Sequence, residues 1–225
     1  MPKETFYKLK TGKRKAITNA FLREFSIKIY DEASISNVVK SLGIAKGSIY
    51  QYFTDKLDLF LYLQTVCNEV KSTYVSNVKR ADYPDFWSYY RALYEKGMDF
   101  DINHPLESNF LHNINNHINS PSLRDLSKEW KKQVIEWMST MIQYEVDLGL
   151  FRNDMPVRSM AFLLFKTSTS IGEYMQTIFG LNTEKQIRNE KSIYAEKNGE
   201  FLRKTVDEYI FLLKNAFNKS NYDNS

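Results

Sequence analysis

The chain is short of everything that builds a turn-rich or cross-linked fold. Across 225 residues it has one cysteine (Cys67), 8 glycines and 5 prolines. A single cysteine excludes an intrachain disulfide and fits a reducing compartment. So little Gly and Pro leaves too few turns for an all-β sandwich or barrel, so an all-α protein is expected. No apolar run approaches the roughly 20 residues that cross a bilayer. The opening MPKETFYKLKTGKRKAIT lacks the apolar core of a secretory signal. A cytoplasmic protein without membrane contact is expected. The three histidines include His112 and His117, whose spacing keeps them off one helical face, and there is no second cysteine; neither a metal site nor a cofactor is expected. Phosphate loops, HExxH pairs, serine elbows and diiron-type carboxylate–histidine patterns are missing as well.

What is present is an ordinary globular mixture, 43% hydrophobic and 26% charged, with aromatics at 15%. The net charge of +4 is unevenly placed. Residues 1–60 hold 11 Lys/Arg against 6 Asp/Glu, a balance of +5, and the remainder hold 20 against 21, a balance of −1. A basic head on a near-neutral body is the asymmetry of a nucleic-acid binder.

Helical spacing and punctuation divide the chain. A basic arm (Lys8, Lys10, Lys13, Arg14, Lys15) leads into a first helix over about 11–28, with Ile17, Ala20, Phe21 and Phe25 on its apolar stripe. Ser34 caps a second helix through Leu42, and Gly43 supplies the left-handed turn that ends it. A third helix spans about 46–53. Thr54 is expected to cap a fourth helix that reaches about residue 80. Pro84, Pro105, Pro121 and Pro156 sit where further helices begin, giving about 84–99, 105–118, 121–148, 156–180 and 183–217, in which the polar segment 182–200 is either a loop or an exposed helical extension, with a disordered tail from Asn218.

The third helix carries the functional signal. At 100° per residue, Ile49 and Phe53 fall on one side and peg the helix to a core. Lys46, Gly47, Ser48, Tyr50, Gln51 and Tyr52 are then left to face outward, short or aromatic polar groups suited to base edges and phosphates. Lys56 stands at the start of the next helix, where its ammonium and free backbone N–H groups can hold a phosphate.

These residues resemble the TetR family of bacterial transcriptional repressors. The resemblance rests on Ser34-Ile35 before a short helix, on Gly43-Ile44-Ala45-Lys46-Gly47-Ser48-Ile49-Tyr50-Gln51-Tyr52-Phe53, and on Lys56 and Leu59 beyond it, and it covers about residues 12–60. Three positions depart from the family pattern: Ile29 replaces a frequent glycine, Ala45 a serine-type cap, and Asn37 a common acidic residue. The resemblance implies an all-α homodimer of about nine helices, with a three-helix DNA-binding domain (1–54) followed by a ligand-binding and dimerisation domain (55–225). It implies groove and phosphate contacts at Lys46, Gly47, Ser48, Tyr50, Gln51, Tyr52 and Lys56, backbone contacts at Ser34 and Ser36, and further contacts at Lys13 and Arg14; the alternatives are a Tyr52 packed as a core aromatic on the first helix, a Ser34 that only caps, and a solvated arm at Lys13 to Lys15.

For the body the resemblance implies a small-molecule effector. Large adaptable side chains available to line an apolar or aromatic pocket include Tyr94, Met98, Phe110, Trp137, Met141, Phe165 and Tyr174, with His112, Asn116 and Thr167 as polar groups. The helices at 156–180 and 200–217 are expected to form the dimer surface. Small residues Ala161, Ser168 and Gly172 mark the first, and a stripe of Phe201, Val206, Tyr209, Ile210 and Leu213 marks the second. A two-fold dimer would read both halves of a palindromic operator on double-stranded DNA. A ligand-responsive repressor is the leading expectation. A ligand-independent architectural or constitutive DNA binder remains open, as does an all-α enzyme using a bundle pocket, although a basic head gives an enzyme nothing to do.

Overall fold

The computed structural model describes residues 1–117 and 120–219, and for residues 115 and 116 the backbone alone. The side chain of Asn116 and the tail beyond residue 219 therefore lie outside the described residues. Among those described, eleven α-helices and two short 3₁₀ turns carry the fold: α1 (Glu4–Tyr7), α2 (Thr11–Ile27), α3 (Ile35–Ser41), α4 (Lys46–Tyr52), α5 (Lys56–Val75), a 3₁₀ turn at Arg80–Asp82, α6 (Phe86–Asn103), α7 (Pro105–His117), a 3₁₀ turn at Pro121–Leu123, α8 (Arg124–Asp147), α9 (Val157–Phe179), α10 (Thr183–Arg188) and α11 (Lys197–Phe217). The chain divides into two compact units. The first comprises Met1–Asn77, Gly97–Leu123 and Thr183–Ala195; the second comprises Val78–Lys96, Arg124–Asn182 and the chain from Glu196 onward.

In the first unit α2, α3, α4 and α5 enclose an aromatic core. Phe21, Leu22 and Phe25 of α2, and Ile49, Phe53, Leu59, Phe60 and Leu63, are all essentially buried, and the Phe25 and Phe60 rings meet edge-on at 5.3 Å. Each such side chain contributes about 1.5–3 kcal/mol by leaving water. α7 packs on α2 and α5. Ser34 caps α3 by accepting from the Asn37 N–H at 3.3 Å, as its residue type predicts. The exit from α3 is a Schellman turn: Gly43, at φ +65°, donates to the Lys40 carbonyl, and Ile44 donates to the Val39 carbonyl at 3.1 Å. The expected Thr54 cap is displaced by one residue. Asp55 accepts from the Asp58 N–H at 2.8 Å, and Asp58 in turn accepts from the Thr54 N–H at 2.9 Å, two orphan donors satisfied reciprocally in the manner of a capping box.

The second unit is built on α8, α9 and α11 with the first turns of α6. Its core gathers Phe86, Trp87, Tyr90, Met138, Ile142, Phe151, Met160, Ala161, Leu164, Leu213 and Phe217. The buried Glu145 carboxylate is compensated by a bidentate contact with the Arg80 guanidinium at 2.6 and 3.1 Å, as a charge withdrawn from water requires. Asn218, expected in a disordered tail, is bound: its side-chain oxygen accepts from the Trp87 indole N–H at 2.9 Å, and its backbone pairs with Phe151.

The polar segment 182–200 is part helix and part loop. The single span over 183–217 breaks after Arg188, and the chain turns through Glu190 and Glu196 at φ 54° and 53°. The physical reason is distant in sequence. Asp101, 1% exposed, accepts from the Ser108 hydroxyl at 2.8 Å, from the Ser192 hydroxyl, and from the Tyr194 N–H at 2.9 Å. A buried carboxylate needs several donors, and the 190s loop supplies two of them.

Candidate nucleic-acid interface

The interface is assembled on α4. Ile49 and Phe53 are fully buried and seat the helix. The opposite side is wet: Lys46, Gly47, Tyr50 and Gln51 are exposed, Tyr50 at 42%, and Ser48 is half-buried. Lys46 has no carboxylate within ion-pair distance among the described residues, and neither have Lys10, Lys13 and Lys15. Ala45, at the N-cap, offers no side-chain acceptor to the first-turn N–H groups of α4. The Ser48 N–H is taken by the Ala45 carbonyl at 2.9 Å, which leaves the N–H groups of Lys46 and Gly47 as the first-turn donors that favour an anion there.

Tyr52 takes the inward of its two expected positions. It is 8% exposed, and its ring lies 5.9 Å from that of Phe6. One i+2 step from Tyr50 carries it toward the pegged side, so it packs as an anchor and is removed from the outward face. Lys56 is also more committed than its position suggests. Its ammonium sits 4.7 Å from the centre of the Tyr30 ring and 3.5 Å from the Asp31 carbonyl, and burial lowers its pKa against the raising influence of Asp31 and Glu24. Ser34 is occupied by its cap and donates its own N–H to Glu24 at 2.8 Å, whereas Ser36 is exposed. Lys13 is exposed; Arg14 is half-buried and donates to the Tyr7 carbonyl at 3.1 Å.

Sequence reasoning passes over the support for this face from α1. Lys3 N–H donates to the Tyr52 carbonyl at 2.7 Å, the Lys3 ammonium to the Tyr50 carbonyl at 2.8 Å, and the Thr5 hydroxyl to the Gln51 carbonyl. A four-residue helix has no periodicity to detect, so its only local signal is the lone apolar Phe6.

The residues expected around a ligand are divided between the units. Met98 and Phe110 are buried and His112 half-buried in the first; Tyr94, Met141, Phe165 and Tyr174 are half-buried in the second. Trp137, expected to line a cavity, is 54% exposed on α8. The Tyr94 hydroxyl lies 3.1 Å from that of Tyr90, which also meets the Ser168 hydroxyl at 2.7 Å. Thr167 bonds its own helix at the Leu163 and Leu164 carbonyls.

The expected dimer residues need correction. Ala161, Val206 and Leu213 are buried within the chain's own fold. Phe201 stacks on Phe179 at 4.4 Å and Tyr209 meets Tyr174 edge-on at 5.7 Å, while Ser168, Gly172 and Ile210 are half-buried. A stripe wide enough to serve a partner is here largely consumed by intrachain packing. The apolar side chains left in water on these two helices are Phe162, Leu163 and Ile178 on α9, and Phe211 and Leu212 on α11. The α11 pair borders a shallow open depression with Lys204, Asp207 and Glu208.

Residues 17–63 match the family model described as bacterial regulatory proteins, tetR family. An HTH-type transcriptional regulator of Staphylococcus aureus is 23% identical over 181 residues, covering 75% of this chain and 94% of that protein. The uncharacterised HTH-type transcriptional regulator YvdT of Bacillus subtilis is 43% identical over 56 residues, 25% of this chain and 26% of its own. A TetR family transcriptional regulator from Chloroflexus aurantiacus superposes with a TM-score of 0.77 at 25% identity, covering 98% of this chain and all of that one. A transcriptional regulator from Rhodococcus shares the fold at a TM-score of 0.60 and 17% identity, covering 92% of this chain and 98% of its own.

Proposed function

We propose that this chain, which belongs to the tetR family of bacterial regulatory proteins and carries its DNA-binding helix-turn-helix, is a dimeric repressor released from its operator by a small apolar or aromatic ligand. The supporting observation is the wet side of α4, where Lys46, Gly47, Tyr50 and Gln51 stand exposed on a helix pegged by Ile49 and Phe53. Inserted in a major groove, Tyr50 and Gln51 address base edges while Lys46 and the uncapped first turn hold a phosphate. Ser36 and Lys13 extend the contact along the backbone. We place the functional boundary between residues 54 and 55, with effector binding and dimerisation assigned to the C-terminal side of it. Ligand then acts by favouring a state whose two heads no longer match the half-site spacing, so operator DNA weakens ligand binding by the same factor.

The test begins with selection of duplexes from a random DNA library by the full-length protein. Tyr50→Ala is expected to weaken binding to the selected duplex by about tenfold or more and to relax its sequence preference. Lys46→Ala is expected to weaken all sequences alike and reduce the salt slope by about 1. Undiminished affinity in both variants, measured by fluorescence anisotropy, would remove α4 as the reading surface. One observation favours a second reading. The polar groups around Tyr90 are mutually satisfied and its surroundings are packed, as suits a constitutive DNA binder that takes no effector. A panel of small aromatic compounds that never releases the selected duplex would favour that second reading.

A further inference from the structure

The recognition helix is too short to hold itself. α4 has seven residues, well below the length at which an isolated helix persists, and the carbonyls of its last turn have no partner within the helix. Three of them, those of Tyr50, Gln51 and Tyr52, are taken by the Lys3 ammonium, the Thr5 hydroxyl and the Lys3 N–H. Phe6, fully buried, wedges behind them with its ring 4.9 Å from Phe53, 5.9 Å from Tyr52 and 5.3 Å from Tyr62 on α5. The far end of the segment is tied to α2 through Arg14 and the Tyr7 carbonyl. The region matched by the family model begins at Ile17, so Lys3, Thr5 and Phe6 lie outside it while their partners on α4 and α5 lie within it.

We propose that the segment from Lys3 to Phe6 is a positioning splint for the recognition helix, fixing the C-terminal end and tilt of α4 and so setting DNA affinity without touching DNA. The first half of this claim concerns the free protein. The second rests on the DNA-binding reading above. Lys3 is suited to the role because its ammonium is directed at a carbonyl, and Thr5 because its hydroxyl is a donor on a short stem. Phe6 supplies the apolar wedge that sets the distance between α4 and α5.

The experiment uses the full-length chain and, as probe, the duplex that the unaltered protein selects from a random library. In the free protein, Phe6→Ala is expected to speed amide exchange at Tyr52 and Phe53 about tenfold, and Thr5→Val about threefold, with exchange in α8 unchanged. On the probe, Phe6→Ala is expected to bind about tenfold more weakly, Phe6→Leu to restore affinity to within about threefold, and the salt slope to stay that of the unaltered protein. Unchanged exchange at α4 overturns the splint. A salt slope reduced by about 1 in Lys3→Ala overturns the claim that the segment stays off DNA, since it marks a lost phosphate contact. If Phe6→Ala does not fold, the exposed Thr5→Val variant decides by the same exchange reading. If the unaltered protein selects no duplex, the regulator reading fails while the exchange arm still judges the splint.

Discussion

His117 shows how much one side chain on a short helix can govern. It is fully buried among the rings of Phe25, Phe60 and Phe110, and its Nε2 lies 2.8 Å from the Phe25 carbonyl. A carbonyl only accepts, so the neutral ring carries its proton on Nε2, and the buried Nδ1 has no partner among the described residues. Protonating Nδ1 would place an unpaired N–H and a charge in an aromatic pocket. Burial accordingly pushes the pKa from 6.5 down to about 4, the carbonyl opposing and the Lys56 ammonium assisting. Because the folded value is depressed, the unfolded chain binds more protons between these limits. Stability is therefore level above about pH 6.5 and falls as pH drops toward 4. Acidification from about pH 7 to about pH 5 is expected to remove about 2 kcal/mol through this residue alone. His117→Gln keeps a donor for Phe25 without titrating, so urea unfolding at the two pH values is expected to show a smaller loss by about that amount. An identical loss in both proteins would show that His117 is not the group that titrates. His112, also lowered by burial, adds a loss of the same sign that both proteins share.

At the scale of elements, the turn between α3 and α4 fixes the angle at which the exposed side of α4 is presented. Gly43 holds φ +65°, and a Cβ built there meets nothing within 4 Å. Gly43→Ala therefore adds backbone strain without a clash, and about 1 kcal/mol of stability is expected to be lost in equilibrium unfolding followed by circular dichroism. An unchanged midpoint would mean that the turn relaxes into another conformation. Elements of this kind are legible in the sequence. Gly43, Pro105, Pro156 and Gly180 mark helix ends by backbone chemistry that acts locally, and the Ile49 and Phe53 pair exposes the period of α4. The remainder is not legible because its causes are tertiary or too short. α1 repeats nothing, and Tyr52 is drawn inward by Phe6, which lies 46 positions earlier. The polarity of 182–200 admits a loop, but where the chain breaks between α10 and α11 is set by Asp101 through residues that contain neither Gly nor Pro. The α11 stripe, too, reads correctly as apolar, but most of it is not free for a partner.

For the whole molecule the decisive matter is what covers the apolar side chains that remain in water. Three consecutive residues of α11 separate the alternatives. Phe211 and Leu212 are 67% and 62% exposed, whereas Leu213 is 4% exposed and belongs to the core of the second unit. Surface of this kind in a monomer marks an interaction site once it is contiguous, and a two-fold partner would meet it with the same residues. Phe211→Asp combined with Leu212→Asp is expected to leave helicity and melting intact while converting a dimer to a monomer in sedimentation at micromolar concentration. Leu213→Asp is expected to unfold the second unit instead, because it drives a charge into the core. The monomer keeps an intact α4 but engages one half-site at a time, so its affinity for a palindromic duplex is expected to fall by about a hundredfold or more, while its affinity for an isolated half-site stays the same. A dimer that survives both aspartates would move the two-fold contact to another face and with it the geometry that sets the two heads apart.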